Sequence, residues 1–211
     1  MSATLTQEFI DGAKKTQEKY GIPASVTLAQ IILESSGSYP GGLSGLAYLH
    51  KNLFGIKKGS WTGKTVDMVT TDWLAGKGYF QRSQTFRKYD SYEESIEDHA
   101  KVLLQPIYTN KTKNATTLDE YIDAFAPIYA SPSYASTLKD IIKKNNLTKY
   151  DNGKYSVDGL TGDSAETTET GLKESAMGVL GNIIQFISIA FLVVLAVVFF
   201  VNAFGIVGGD S

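Results

Sequence analysis

The chain has 211 residues, 43% of them hydrophobic, and a formal net charge of −2. That net charge hides two parts, because residues 1–150 hold 18 Lys and Arg against 15 Asp and Glu while residues 151–211 hold 2 against 7, giving +3 followed by −5. Cysteine is absent and the two histidines, His50 and His99, lack metal-ligand spacing, which excludes a disulfide framework and a cysteine nucleophile and leaves no expectation of a catalytic metal or other cofactor.

In chain order, the segment Met1 to Phe9 has neither a basic start nor an apolar run and does not read as a secretory signal. Thr4 and Gln7 predict a capping box, followed by a helical stripe through Phe9, Ile10, Ala13 and Tyr20. A second helix is predicted from Pro23 or Ser25, with Val26, Ala29, Ile32 and Leu33 inward, ended by Ser35, Ser36 and Gly37. From Gly41 to Tyr89 the pattern changes to short runs rich in Gly, Thr and aromatics, at 52–57, 65–73 and 86–89, which predict strands and turns of a small lobe.

Helices return at Ser91, where Ser91 and Glu94 form a capping box before Tyr92, Ile96, Ala100 and Leu103. Thr117 and Glu120 repeat the device before Tyr121, Ile122 and Phe125. Ser131 and Pro132 predict the start of a last helix through Leu138, Ile141 and Ile142, with Lys143 and Lys144 suited to its C-terminal end. The expected organisation is therefore a globular domain over 1–150, an acidic linker over 151–174 that has too few large apolar groups to offset the entropy of ordering, and a hydrophobic segment over 175–211. No charged residue lies between Glu174 and Asp210, and residues 183–204 as a helix would span about 33 Å, the thickness of a bilayer core. A lipid bilayer is the expected partner of that segment, and its flanks carry no Lys or Arg cluster that would set an orientation.

Cleaving a glycosidic bond requires a protonated carboxyl beside the leaving oxygen, usually with a second carboxylate to activate water or stabilise the oxocarbenium ion. Glu34 is placed for the first role, because it follows the apolar run Leu28 to Leu33 and ends its helix, where the dipole and partial burial both disfavour the anion. An exposed glutamate ending a helix would carry the same pattern, and position alone leaves both readings open.

The strings Ala29 to Gly37 (AQIILESSG) and Asn52 to Lys57 (NLFGIK) resemble the bacterial endo-β-N-acetylglucosaminidases of glycoside hydrolase family seventy-three, which includes autolysins and flagellar peptidoglycan hydrolases. The resemblance continues in order through Thr70 to Trp73, Phe86 to Glu94 and Tyr129 to Ala135, covering roughly residues 5–150 and none of the tail. It implies an α+β, mainly α, lysozyme-like body with a small β-lobe flanking a groove. It implies Glu34 as the catalytic acid and Tyr129 as a tyrosine near the scissile bond. A second acidic residue of the family falls at Asp72, where aspartate stands in place of the usual glutamate, with Asp67 as the fallback.

Phe54, Trp61, Trp73 and Tyr134 are groove aromatics or core residues on this reading, since sugar faces pack on aromatic rings. Asn52 either fixes its loop or contacts an N-acetyl group. The expected substrate is peptidoglycan, cleaved after N-acetylglucosamine, and no nucleic-acid partner is expected. A lytic transglycosylase is the rival enzyme, and a non-catalytic wall-binding or membrane-penetration protein the rival outside enzymes. The tail together with the missing signal favours delivery by a virion, as a phage tail component, over a membrane-tethered enzyme of a secretion apparatus.

Overall fold

A computed structural model describes residues 2–74, 78–131, 133–157 and 159–160, with the side chains at 72–74 and 78 outside that description. The chain runs through α1 (Gln7–Tyr20), α2 (Ala24–Glu34), a short strand β1 (Ser36–Tyr39), α3 (Gly45–His50) and the hairpin strands β2 (Thr65–Leu74) and β3 (Gly78–Arg87). It continues through α4 (Tyr92–Leu103), α5 (Pro106–Thr112), α6 (Leu118–Tyr129) and α7 (Tyr134–Lys144). Short 3-10 turns lie at Pro40–Gly42 and Leu147–Tyr150. The architecture is mainly helical α+β, a helical body bearing one small antiparallel sheet.

The burial of α2 organises the body. Every residue from Ala24 to Ile32 is buried, and α1, α7 and the Leu147–Tyr150 turn lie against it. Each large aliphatic side chain enclosed in this way contributes about 1.5–3 kcal/mol relative to leaving it in water. A helix without a wet face cannot rely on solvent to satisfy its ends, so neighbouring side chains do so. At the N-terminus Pro23 offers no side-chain cap, and Gln17 Oε1 accepts from the Ala24 amide at 2.8 Å while Asp151 Oδ1 accepts from the Ser25 amide at 2.9 Å. At the C-terminus the Ser35 and Ser36 hydroxyls donate to the Ile31 and Ile32 carbonyls at 2.6 and 2.5 Å. Both ends are pinned, and with them the position of Glu34.

The other helix starts follow local chemistry with small shifts. Helix α1 begins at Gln7 with Thr6 as its cap, later than the Thr4 to Gln7 box predicts, because the Thr4 amide donates instead to the Gly41 carbonyl at 2.8 Å. Gly42 permits this strap: its φ is 72°, and a Cβ there would lie 2.0 Å from the Ser2 carbonyl oxygen. Helices α4 and α6 start at the predicted caps, Ser91 and Thr117. The Thr117 and Glu120 box is complete, whereas Glu94 Oε2 accepts from the Asp90 amide at 2.9 Å. Helix α7 begins at Tyr134, beyond the predicted Ser131 and Pro132, and Pro132 itself lies outside the described residues.

In the small lobe β2 and β3 pair in register from Thr65 with Arg87 to Leu74 with Gly78. Along β2, half-buried Val66, Met68 and Thr70 alternate with exposed Thr65, Asp67, Val69 and Thr71, as a sheet wet on one face requires. Two expectations are corrected here. The run 52–57 is a loop held to the end of β3, where Lys57 lies beside Phe86 and the Arg87 amide donates to the Ile56 carbonyl at 3.0 Å, and a helix, α3, occupies part of the region expected to hold only strands and turns. Ser44 starts that helix by accepting from the Ala47 amide at 3.2 Å. The hairpin is clamped to α4 by Arg87 and Tyr89, which donate to Asp98 Oδ2 at 2.7 and 2.6 Å.

Packing runs on past Tyr150, where the sequence places the start of a linker. Asp151 caps α2, the Leu118 amide donates to the Ser156 carbonyl at 2.8 Å, the Tyr155 ring lies 5.3 Å from that of Tyr121, and Leu160 is buried. The rest of the expected linker and the hydrophobic segment, including 183–204, lie outside the described residues. Among the described residues, no helix is long and apolar enough to cross a membrane.

Candidate active site

Glu34 sits where the last turn of α2 meets the α6 to α7 connection. Its side chain is only half-buried, yet burial pushes its carboxyl up from an ordinary 4.5 to about 7. For a carboxyl that is enclosed on most sides and still reaches solvent the neutral form is favoured, because the anion loses hydration. The Tyr134 hydroxyl donates to Glu34 Oε1 at 2.7 Å and pulls the other way, stabilising the anion, but desolvation is the larger effect. The Tyr134 oxygen in turn accepts from Gln30 Nε2 at 3.1 Å. Gln30 is one turn before Glu34 on the same helix, so the two meet Tyr134 on a common face.

Tyr129 closes α6 and Tyr134 opens α7, and their rings stack with centroids 5.3 Å apart at 26°. The phenol that hydrogen-bonds Glu34 is that of Tyr134, and Tyr129, stacked on it, has its hydroxyl 3.4 Å from His99 Nε2. Burial, and secondarily the nearby Glu34 charge, hold both phenols well above their usual range, so both remain protonated donors. His99 is stacked on Phe54 at 3.8 Å and 12°, and Phe54, 6% exposed, packs in the core.

The remaining candidates fall elsewhere. Asn52 is buried with its amide fully engaged: Nδ2 donates to the Ile56 and Arg87 carbonyls at 2.9 and 2.8 Å, and Oδ1 accepts from the Ile56 amide at 3.0 Å. Both amide N–H groups of Asn52 are thus spent on its own loop and the end of β3. Trp61 packs edge-on to Tyr89 and under the Arg87 guanidinium, and its indole N–H donates to the Lys64 carbonyl at 3.1 Å. Asp67 is exposed and accepts from the Thr85 hydroxyl across the hairpin at 2.5 Å. Asp72 and Trp73 occupy β2 positions paired with Phe80 and Tyr79, and their side chains lie outside the description. Among the described residues, no cluster of His, Asp or Glu is placed to hold a metal.

Sequence reasoning missed Gln30 and His99. Both left a signal, a polar residue on an otherwise buried face: Gln30 within the apolar run of α2, and His99 three residues after Ile96 on the inward stripe of α4.

The glucosaminidase family, described as mannosyl-glycoprotein endo-beta-N-acetylglucosaminidase, matches residues 10–147. The chain belongs to the glucosaminidase family. It is 36% identical over 156 residues to the exo-glucosaminidase LytG of Bacillus subtilis (strain 168), covering 69% of this chain and 53% of the relative. It is also 36% identical over 159 residues to a probable N-acetylmuramidase of Lactococcus lactis subsp. cremoris (strain MG1363), covering 71% and 35%. Among solved structures, the catalytic domain of the autolysin Auto from Listeria monocytogenes superposes with a TM-score of 0.59 at 35% identity, covering 72% of this chain and 91% of that one. The lysozyme-like, mainly helical α+β architecture is shared with that autolysin domain. The chain spans about half or less of the length of these curated relatives.

Proposed function

We propose that this domain is a peptidoglycan hydrolase that cleaves the β-1,4 bond after N-acetylglucosamine, with Glu34 as the general acid. The observation that carries the reading is a carboxyl raised to about 7 by burial, open to solvent and backed by a phenol donor. Such a group is neutral at mildly acidic pH and can give its proton to the departing glycosidic oxygen as the anomeric C–O bond breaks. The resulting carboxylate is then held by the Tyr134 hydroxyl, and water completes hydrolysis at the anomeric carbon. Asp72 or the substrate's own acetamido group assists the developing positive charge. Tyr129, stacked on Tyr134, supports the site.

The membrane part of the proposal rests on sequence alone. Residues 183–204 enter a bilayer, and a virion component that opens the wall locally before its apolar segment meets the cell membrane fits both parts of the chain. Presence or absence of the chain in purified particles tests this.

The enzymatic reading is tested by digesting purified sacculi and analysing the fragments by mass spectrometry. Reducing-end N-acetylglucosamine is expected, with no cleavage by Glu34→Gln. Reducing-end N-acetylmuramic acid would move the assignment to the other β-1,4 bond, as the name of the Lactococcus relative would have it, and only 1,6-anhydro products would make it a lytic transglycosylase. Unchanged cleavage by Glu34→Gln would overturn the reading.

A further inference from the structure

His99 is 1% exposed, with one ring face covered by Phe54 and an edge toward Tyr129. Burial pushes it down to about 3, so the ring is neutral at any working pH and carries a single proton. Nε2 faces the Tyr129 hydroxyl at 3.4 Å, and Nδ1 has no hydrogen-bond partner among the described residues. A proton on Nδ1 would therefore be a buried N–H without an acceptor, a fault that costs about 1–3 kcal/mol. Folded proteins avoid orphaned donors more strictly than unfilled lone pairs. A proton on Nε2 has an acceptor, the Tyr129 oxygen, and leaves only a bare lone pair.

We infer that His99 is a positioning residue: its Nε2–H donates to the Tyr129 oxygen and thereby leaves the Tyr129 hydroxyl proton to act on the side of Glu34, whose charge acts on that phenol. The neighbouring tyrosine has the same arrangement. Gln30 donates to the Tyr134 oxygen and Tyr134 donates onward to Glu34, so each of two stacked phenols is backed by a buried donor that leaves its own proton pointing forward. Gln30 cannot do otherwise through its amide nitrogen, whereas His99 can adopt either tautomer, and the tautomer decides whether Tyr129 presents a proton or spends it inward.

The inference rests on the glycosidase reading, but its first test needs no substrate. Because the chain holds only two histidines, long-range proton–nitrogen spectra of the 15N-labelled protein can be assigned with a single His50→Gln variant. A protonated Nε2 and a bare Nδ1 are expected for His99 from roughly pH 5 to 8. A proton on Nδ1 would overturn the inference whatever the enzyme does.

The second test is kinetic. Tyr129→Phe and His99→Phe should each lower kcat about tenfold, the rate equivalent of one neutral hydrogen bond, with KM little changed and no further loss in the double variant. His99→Gln, which keeps an amide donor near the Nε2 position, should recover most of the rate. Full kcat in a folded His99→Phe enzyme, or independent losses in the double variant, would contradict the role. If His99→Phe does not fold, the tautomer and the His99→Gln rate still decide it. Activity surviving Glu34→Gln would remove the glycosidase reading while leaving the tautomer result standing.

Discussion

Tyr134 donates its hydroxyl hydrogen to Glu34 Oε1 over 2.7 Å, although 100 positions separate them in the chain. The bond favours the carboxylate, the form that Glu34 takes after it has given up its proton, so it strengthens as the reaction proceeds. Tyr134→Phe should therefore raise the Glu34 pKa above about 7, because burial then acts unopposed. The alkaline limb of kcat/KM should move to higher pH while kcat falls about tenfold, the rate equivalent of one hydrogen bond. A pH–rate series on soluble glycan fragments checks this, and an unmoved limb would mean that the phenol does not act on Glu34.

Glu34 also ties stability to pH. Its folded pKa, about 7, lies above the ordinary 4.5, so the folded protein holds this proton more tightly than the unfolded chain does. The associated stability is complete below 4.5 and is lost as pH rises through 7. With discount for the partial exposure, the loss is about 2–3 kcal/mol by the linkage of pKa to free energy. Glu34→Gln, which keeps the shape and removes the charge, should match the parent in thermal unfolding near pH 4 and exceed its Tm at about pH 8.

Asn52→Ala should act on folding and not on binding. It would remove one donor from each of the Ile56 and Arg87 carbonyls, the former keeping the Arg87 amide, and take the acceptor from the Ile56 amide, a loss on the order of 2–4 kcal/mol in denaturant unfolding. The KM of the fraction that remains folded should be unchanged, and a selective rise in KM would return Asn52 to the substrate.

Asp98→Ala should loosen the hairpin from the body. Arg87 and Tyr89 both converge on Asp98 Oδ2, and the Arg87 and Asp98 side chains are only 16% and 10% exposed. Removing one partner of a pair this enclosed costs about 3–5 kcal/mol. Hydrogen exchange should show the β2 and β3 amides opening before those of α2, and uniform protection in the variant would contradict the clamp.

The sequence carried the fold well where a rule is local. The complete capping box at Thr117 and Glu120, the Ser91 cap and the buried run of α2 ending at Glu34 were all readable, because each is set by residues within one or two turns. The start of α1 was displaced by a contact with Gly41, and α2 is capped by Asp151, both products of long-range packing that no window contains. The short helix α3 was hidden in a region whose glycines and aromatics suggested strands and turns. At the site, Glu34 was legible from its place at the end of an apolar helix. Which tyrosine would touch it was not, since Tyr129 and Tyr134 lie five residues apart across a helix junction whose bend decides the outcome. For Asn52 and Phe54 the sequence leaves a structural and a substrate-facing role both open, because it shows residue type without showing which atoms are already bonded.

The central claim is that Glu34 is neutral when it meets its substrate. A carbon-13 titration of the Glu34 carboxyl in the free protein, assigned by its absence in Glu34→Gln, measures this most directly. The account predicts a midpoint near 7 that coincides with the alkaline limb of kcat/KM; a midpoint at the ordinary 4.5 would contradict it.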